Sequence, residues 1–217
     1  MRTIVRARLL SERVDDRLLN TIFPSAAVPL LKPLFAGEKF LFVLRKMGRT
    51  KWGTFRYVKG DPLTTIFLDN QLRPEAMLVT MLHEFAHYLV WKNHPQDTKP
   101  HGTEWKSEFR TLAIPFLTTE IFATETLRSF AHYLKNPVAS ATAHPALYRA
   151  LTGHDLKPET VALATLPQGA VFIIEGKRFI KGPRRRTRYS CQCPDDGRLY
   201  TVNQSIWVQT EATNRAE

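Results

Sequence analysis

The chain has 217 residues, 43% of them hydrophobic and 24% charged. That is the composition of an ordinary globular protein with room for one good core and a small appendage. It excludes a membrane-spanning helix, because no apolar run approaches the necessary length, and a disulfide framework, because its cysteines are only Cys191 and Cys193. Residues 1–8 are basic and lack the long apolar core of a secretion signal, so a cytoplasmic location is expected. The formal net charge of +11 favours a polyanionic partner such as nucleic acid.

In chain order, Ser11 can cap a first helix running to Phe23, with Val14, Leu18 and Ile22 on one face. Pro24, Pro29 and Pro33 then break the pattern, and residues 28–35 read as an apolar connection pressed on the core. Residues 40–44 read as a strand. The basic residues 45–51 read as a solvated hairpin end. Residues 52–58 and 64–68 are strand-like and joined through Gly60-Asp61-Pro62. Together they predict a three-stranded antiparallel sheet with the next helix packed across one face.

That helix spans residues 74–92. Pro74 suits a first helical turn, and Glu75 favours the positive end of the helix dipole. Leu78, Met81, Leu82, Phe85 and Leu89 recur at spacings of three and four, which makes a buried face. His83 and His87 are four apart, so their rings leave one side of the helix, one turn apart. Histidines fit poorly on an apolar helix unless something satisfies their nitrogens. A zinc ion would satisfy one nitrogen of each, and Glu84 beside the first histidine can take a proton from water. This is the HExxH pattern of zinc metallopeptidases.

A catalytic zinc takes a third protein ligand and keeps one position open. Three places can supply that ligand. His94 follows soon after the helix, but the metzincin pattern needs a glycine where Val90 stands. Glu104 or Glu108 can act from a second helix. His101 is favoured: it opens His101-Gly102-Thr103-Glu104-Trp105, just before a helical stretch reaching about Leu112, and Gly102 frees the backbone for a sharp turn into that helix.

HExxH followed by HGxxW resembles the SprT-like family of zinc metallopeptidases. The resemblance extends upstream to residues 52–55 and 65–68. It implies an α+β, zincin-like domain of helices packed on a small antiparallel sheet, one zinc ion per chain held by His83, His87 and His101, and Glu84 as general base. It further implies a zinc-dependent endopeptidase whose substrates are proteins bound or crosslinked to DNA. The rival reading is a nucleic-acid-binding or regulatory protein with a non-catalytic zinc site.

Residues 120–134 form a further helical pattern, stopped by Asn136-Pro137, and residues 145–151 a short helix ended by Gly153. His132, His144 and His154 read as surface or helix-end residues. The composition changes after Pro158, which divides the chain into residues 1–158 and a small β module, residues 159–217. Residues 171–174 and 178–181 read as one hairpin, residues 187–193 and 198–202 as another, and residues 206–208 as a last strand. SprT-like proteins often carry a zinc ribbon here, with two cysteine pairs. Only Cys191-Gln192-Cys193 is present, so a ribbon-like module without its metal is expected. Between the hairpins, Lys181, Arg184, Arg185, Arg186 and Arg188 lie beside Phe179 and Tyr189. Such a loop suits a nucleic-acid backbone, with an aromatic available for stacking on a base. No base-reading helix is evident, so DNA is expected to bind with little sequence preference. The oligomeric state is left open.

Overall fold

The computed structural model describes residues 8–10, 15–48, 51–58, 63–94, 98–138, 144–153, 160–174, 176–186, 188–204 and 206–210. The chain forms two compact units, Met1–Ala141 with Ala150–Thr152, and Thr142–Arg149 with Gly153–Glu217. The expected boundary at Pro158, the expected cap Ser11, the turn Gly60-Asp61-Pro62 and His154 lie outside the described residues.

In the first unit, α1 (Asp16–Ile22) is capped by Asp15, whose carboxylate accepts the Leu18 N–H at 2.8 Å. The proline-rich segment is not an irregular connection but a helix, α2 (Val28–Phe35). Pro29 sits in the first turn, where no N–H is needed, and only Pro33 forfeits a helical hydrogen bond. Val28, Leu31 and Phe35 are all buried at helical spacing, and that burial outweighs the loss.

The sheet of this unit contains β1 (Arg8–Leu10), β2 (Phe40–Arg45), β3 (Gly53–Arg56) and β4 (Thr64–Asp69), in the order β1-β2-β4-β3. It is mixed, not antiparallel as expected, because β2 and β4 run parallel from Phe40↔Thr64 to Arg45↔Asp69. The chain leaves β2, bypasses the neighbouring position and lays down β3 at the far edge. β4 then turns back antiparallel to β3 and fills the gap, so it must run with β2. The crossing is tied down by main-chain bonds from Asn70 to Arg45 (3.1 Å) and from Asp69 to Trp52 (2.8 Å). Phe40, Phe42 and Leu44 on β2, with Thr64, Ile66 and Leu68 on β4, are buried by strand alternation.

α3 (Pro74–Asn93) packs against β3 and β4 on one side and against α4 (Thr103–Ala113) on another. Its residues from Ala76 to Ala86 are all buried, so it is a central helix rather than the one-faced helix its periodicity predicts. α5 (Thr124–Leu134) begins later than expected, because Glu75 of α3 caps it: the carboxylate accepts the Ala123 N–H at 2.7 Å and the Thr126 hydroxyl at 2.8 Å. α6 (Pro145–Thr152) ends at Gly153 in the left-handed conformation (φ 56°), as a helix-terminating glycine does. No helix among the described residues is long and apolar enough to cross a membrane.

The second unit holds an antiparallel sheet of six strands: β5 (Thr160–Ala162), β6 (Val171–Ile174), β7 (Lys177–Arg185), β8 (Arg188–Gln192), β9 (Leu199–Asn203) and β10 (Trp207–Thr210), in the order β5-β10-β6-β7-β8-β9. It is wider than the expected two-hairpin ribbon. Its core is Leu163, Phe172, Phe179, Cys191, Cys193 and Val208. Residues 181–185 and 188–189 are not a loop between hairpins but the arms of a hairpin. At Gly182 a Cβ would lie 2.0 Å from the Ser190 carbonyl oxygen, so the bulge between Lys181 and Arg184 accepts only glycine there.

Candidate metal centre

His83 and His87 come from one side of α3, and His101 comes from the turn before α4. The Nε2 atoms of His87 and His101 are 2.9 Å apart, and those of His101 and His83 are 3.2 Å apart. Two nitrogens sharing a tetrahedral zinc at about 2.0–2.1 Å would be about 3.3 Å apart. The three ring nitrogens therefore already stand close to the separation a small cation requires.

The protonation chemistry agrees with that use. Burial, then the neighbouring His87 and His101, holds His83 well below the usual histidine range. Burial, then His101, pushes His87 down to about 3, and burial also lowers His101. All three imidazoles are thus neutral near pH 7, the form that binds a metal. Three neutral rings converging through Nε2 cannot all satisfy one another, since a single N–H···N bond serves one pair. One cation at their centre would serve all three.

Trp105 is the floor of this cluster. It is 1% exposed, and its ring lies 4.6, 5.3 and 4.7 Å from the rings of His83, His87 and His101. Its indole N–H donates to the His83 carbonyl at 3.3 Å, and Phe109 stacks behind it at 5.0 Å. The tryptophan of HGxxW thus holds the three histidines against one another. The turn carrying His101 also differs from expectation. The left-handed backbone falls on His101 (φ 61°), while Gly102 has an ordinary φ of −73°. Glycine is needed at 102 for another reason: a Cβ would stand 2.9 Å from the Lys99 carbonyl oxygen.

The competing third ligands are placed elsewhere. His94 faces Glu108 at 3.9 Å, and Glu104 lies in the first turn of α4; neither joins the cluster formed by His83, His87 and His101.

Glu84 is 7% exposed and is pushed up to about 7 by burial, against the opposing pull of the Phe55 N–H and Lys51. The Phe55 N–H donates to its Oε2 at 2.6 Å. Neither this bond nor the close approach of Gly53 was anticipated. A glycine inside a strand is the sequence signal for such an approach.

The basic residues separate into two groups. Arg184, Arg185, Arg186 and Arg188 are exposed around the β7–β8 hairpin tip of the second unit. Lys181 is not part of that surface. It is 3% exposed, its ammonium lies 3.9 Å over the Tyr189 ring, and it donates to the carbonyls of Leu166 and, at 3.4 Å, Ala164. Phe179 is likewise buried in the core, so it cannot stack on a base.

No curated protein and no solved structure matches the chain. The SprT-like family model matches residues 33–122. That span runs from α2 to the turn before α5 and contains all three converging histidines, Glu84 and Trp105. Over residues 33–122, therefore, the chain carries a SprT-like domain.

Proposed function

We propose that this protein is a zinc-dependent endopeptidase acting on proteins bound or crosslinked to DNA. The observation that carries the reading is the convergence of three neutral imidazole nitrogens beside Glu84, the residue next to His83 on α3. His83, His87 and His101 would hold the ion. Zinc, when bound, supplies Lewis acidity that makes water nucleophilic near neutral pH and polarises a carbonyl oxygen. Glu84 accepts the proton of the attacking water and delivers it to the leaving amine. The Phe55 N–H fixes one carboxylate oxygen of Glu84 while this happens. Trp105 and Phe109 keep the histidines in place and bulk water away from their inner faces.

The nucleic-acid part of the reading is supported by the exposed arginines of the β7–β8 hairpin and the net charge of +11. The arginine-tip hairpin offers charge without a base-reading helix, so contact with phosphates is expected to dominate.

The deciding experiment is cleavage of a DNA-bound protein by zinc-loaded enzyme, with and without DNA, beside Glu84→Gln. The variant is expected to retain zinc and lose turnover by on the order of a hundred- to ten-thousand-fold. Cleavage that persists in the variant would overturn the role of Glu84. Zinc and DNA binding with no cleavage by the wild type would favour a non-catalytic, nucleic-acid-binding protein.

A further inference from the structure

β3 has a glycine where α3 crosses it. A Cβ at Gly53 would lie 2.8 Å from both Cγ and Oε1 of Glu84, and 2.7 Å from Cγ2 of Thr80. Carbon atoms do not approach so closely, so any side chain there must displace one of the two. Thr80 and Glu84 are one helical turn apart on the face of α3 turned to β3. Thr80 is 6% exposed and anchored, its hydroxyl donating to the Ala76 carbonyl at 2.7 Å. Glu84 is held by the Phe55 N–H at 2.6 Å. Gly53 has no positive φ, so glycine is required here for space and not for backbone freedom.

The strand geometry explains why the two features belong together. Residues two apart on a strand direct their main-chain groups to the same edge. Among the described residues β3 is the last strand in its sheet, with β4 on one side only. The Phe55 N–H points off that free edge and reaches Glu84, and two residues earlier Gly53 leaves the room that the rest of the Glu84 side chain occupies.

We propose that Gly53 is a positioning residue for Glu84: its missing side chain and the Phe55 N–H together form a slot that sets the orientation of the carboxylate. Oε2 is bound at one end of the slot and Oε1 lies against Gly53 at the other. The effect on turnover rests on the peptidase reading, whereas the slot can be measured without any activity. A side chain at 53 turns the carboxylate away from Phe55 and spoils proton transfer, while the three histidines are untouched.

The test uses the full chain, zinc-loaded, as wild type, Thr80→Ala, Gly53→Ala and the Gly53→Ala/Thr80→Ala double variant. Five quantities are measured: zinc content, thermal unfolding, kcat and KM on a protein substrate, and the Phe55 amide proton shift in 15N-labelled protein. Thr80→Ala is expected to keep the wild-type kcat. The double variant relieves the contact with Thr80, so it keeps its fold and zinc even if Gly53→Ala alone does not. Its kcat is expected to fall on the order of ten- to a hundred-fold with KM little changed, the size of effect that misorienting a reacting group produces. Its Phe55 amide proton is expected to move upfield as the bond to the carboxylate is lost. A wild-type kcat in the double variant, or an unmoved Phe55 amide, would mean that the glycine only makes room for Thr80, and would overturn the proposal. If the zinc-loaded wild type cleaves nothing, the peptidase reading fails on its own, and the amide shift still decides whether Gly53 orients Glu84.

Discussion

At His101 the backbone adopts the left-handed turn that its neighbouring glycine was expected to adopt. Histidine tolerates this conformation better than most residues but still under strain, which the surroundings must sustain. The Lys99 carbonyl closes the turn through the Gly102 N–H at 2.8 Å, and this close approach bars a side chain at 102. Gly102→Ala is therefore expected to weaken zinc binding by displacing His101, and His101→Ala to abolish stoichiometric binding; metal analysis after dialysis checks both. Glu84 offers a test at the same scale. Its folded pKa of about 7 lies above the 4.5 of a free carboxyl. The folded state therefore holds this proton between those values while the unfolded state releases it, so stability is lost as pH rises through that window. Glu84→Gln removes the loss. The metal-free variant should be more stable than metal-free wild type at pH 8, by up to about 3 kcal/mol, and no more stable below about pH 4.5. Denaturant melts at the two pH values measure this. The pairing of His83 and His87 was legible because helical spacing alone puts them on one side. The roles of Gly53 and Gly102 were not, because each depends on a group from a distant or separately folded segment.

Among the elements, strands were easier to read than their neighbours. Alternating burial marks β2 and β4, but nothing local says that β4 lies between β2 and β3, and the crossing makes the sheet mixed. α2 was hidden for the opposite reason: its prolines argue against a helix locally, and only the burial of Val28, Leu31 and Phe35 in the folded protein settles the matter. The α4 side of the histidine cluster makes a prediction of its own. Trp105 touches all three histidine rings and is 1% exposed. Trp105→Ala should destabilise the protein by about 3–5 kcal/mol. It should also loosen zinc even where the protein remains folded, because the floor of the cluster is gone. Calorimetric melts and zinc titration at low temperature separate the two effects.

For the whole molecule, the charge of +11 gave the sign of an expected partner but not where it would bind. The expectation that all five basic residues of 181–188 face a polyanion fails for Lys181, whose ammonium is held inside by carbonyls and the Tyr189 ring. Alternation along a strand could have separated it, but the segment read as a loop, where no inward face is defined. Replacing Arg184, Arg185 and Arg188 together by alanine should weaken DNA binding and flatten its salt dependence, by about 0.9 in log–log slope for each phosphate no longer neutralised. Lys181→Ala should leave that slope unchanged and lower the melting temperature. Fluorescence anisotropy across a salt series distinguishes them. The two thiols of the second unit give it one more property. Cys191 and Cys193 are the chain's only cysteines, both unpaired and both fully buried in that core. An alkylating reagent can reach them only when the sheet opens. Their rate of labelling is therefore an internal clock for opening of this unit, readable by mass spectrometry in the intact chain, while the cysteine-free unit bearing the histidines stays silent.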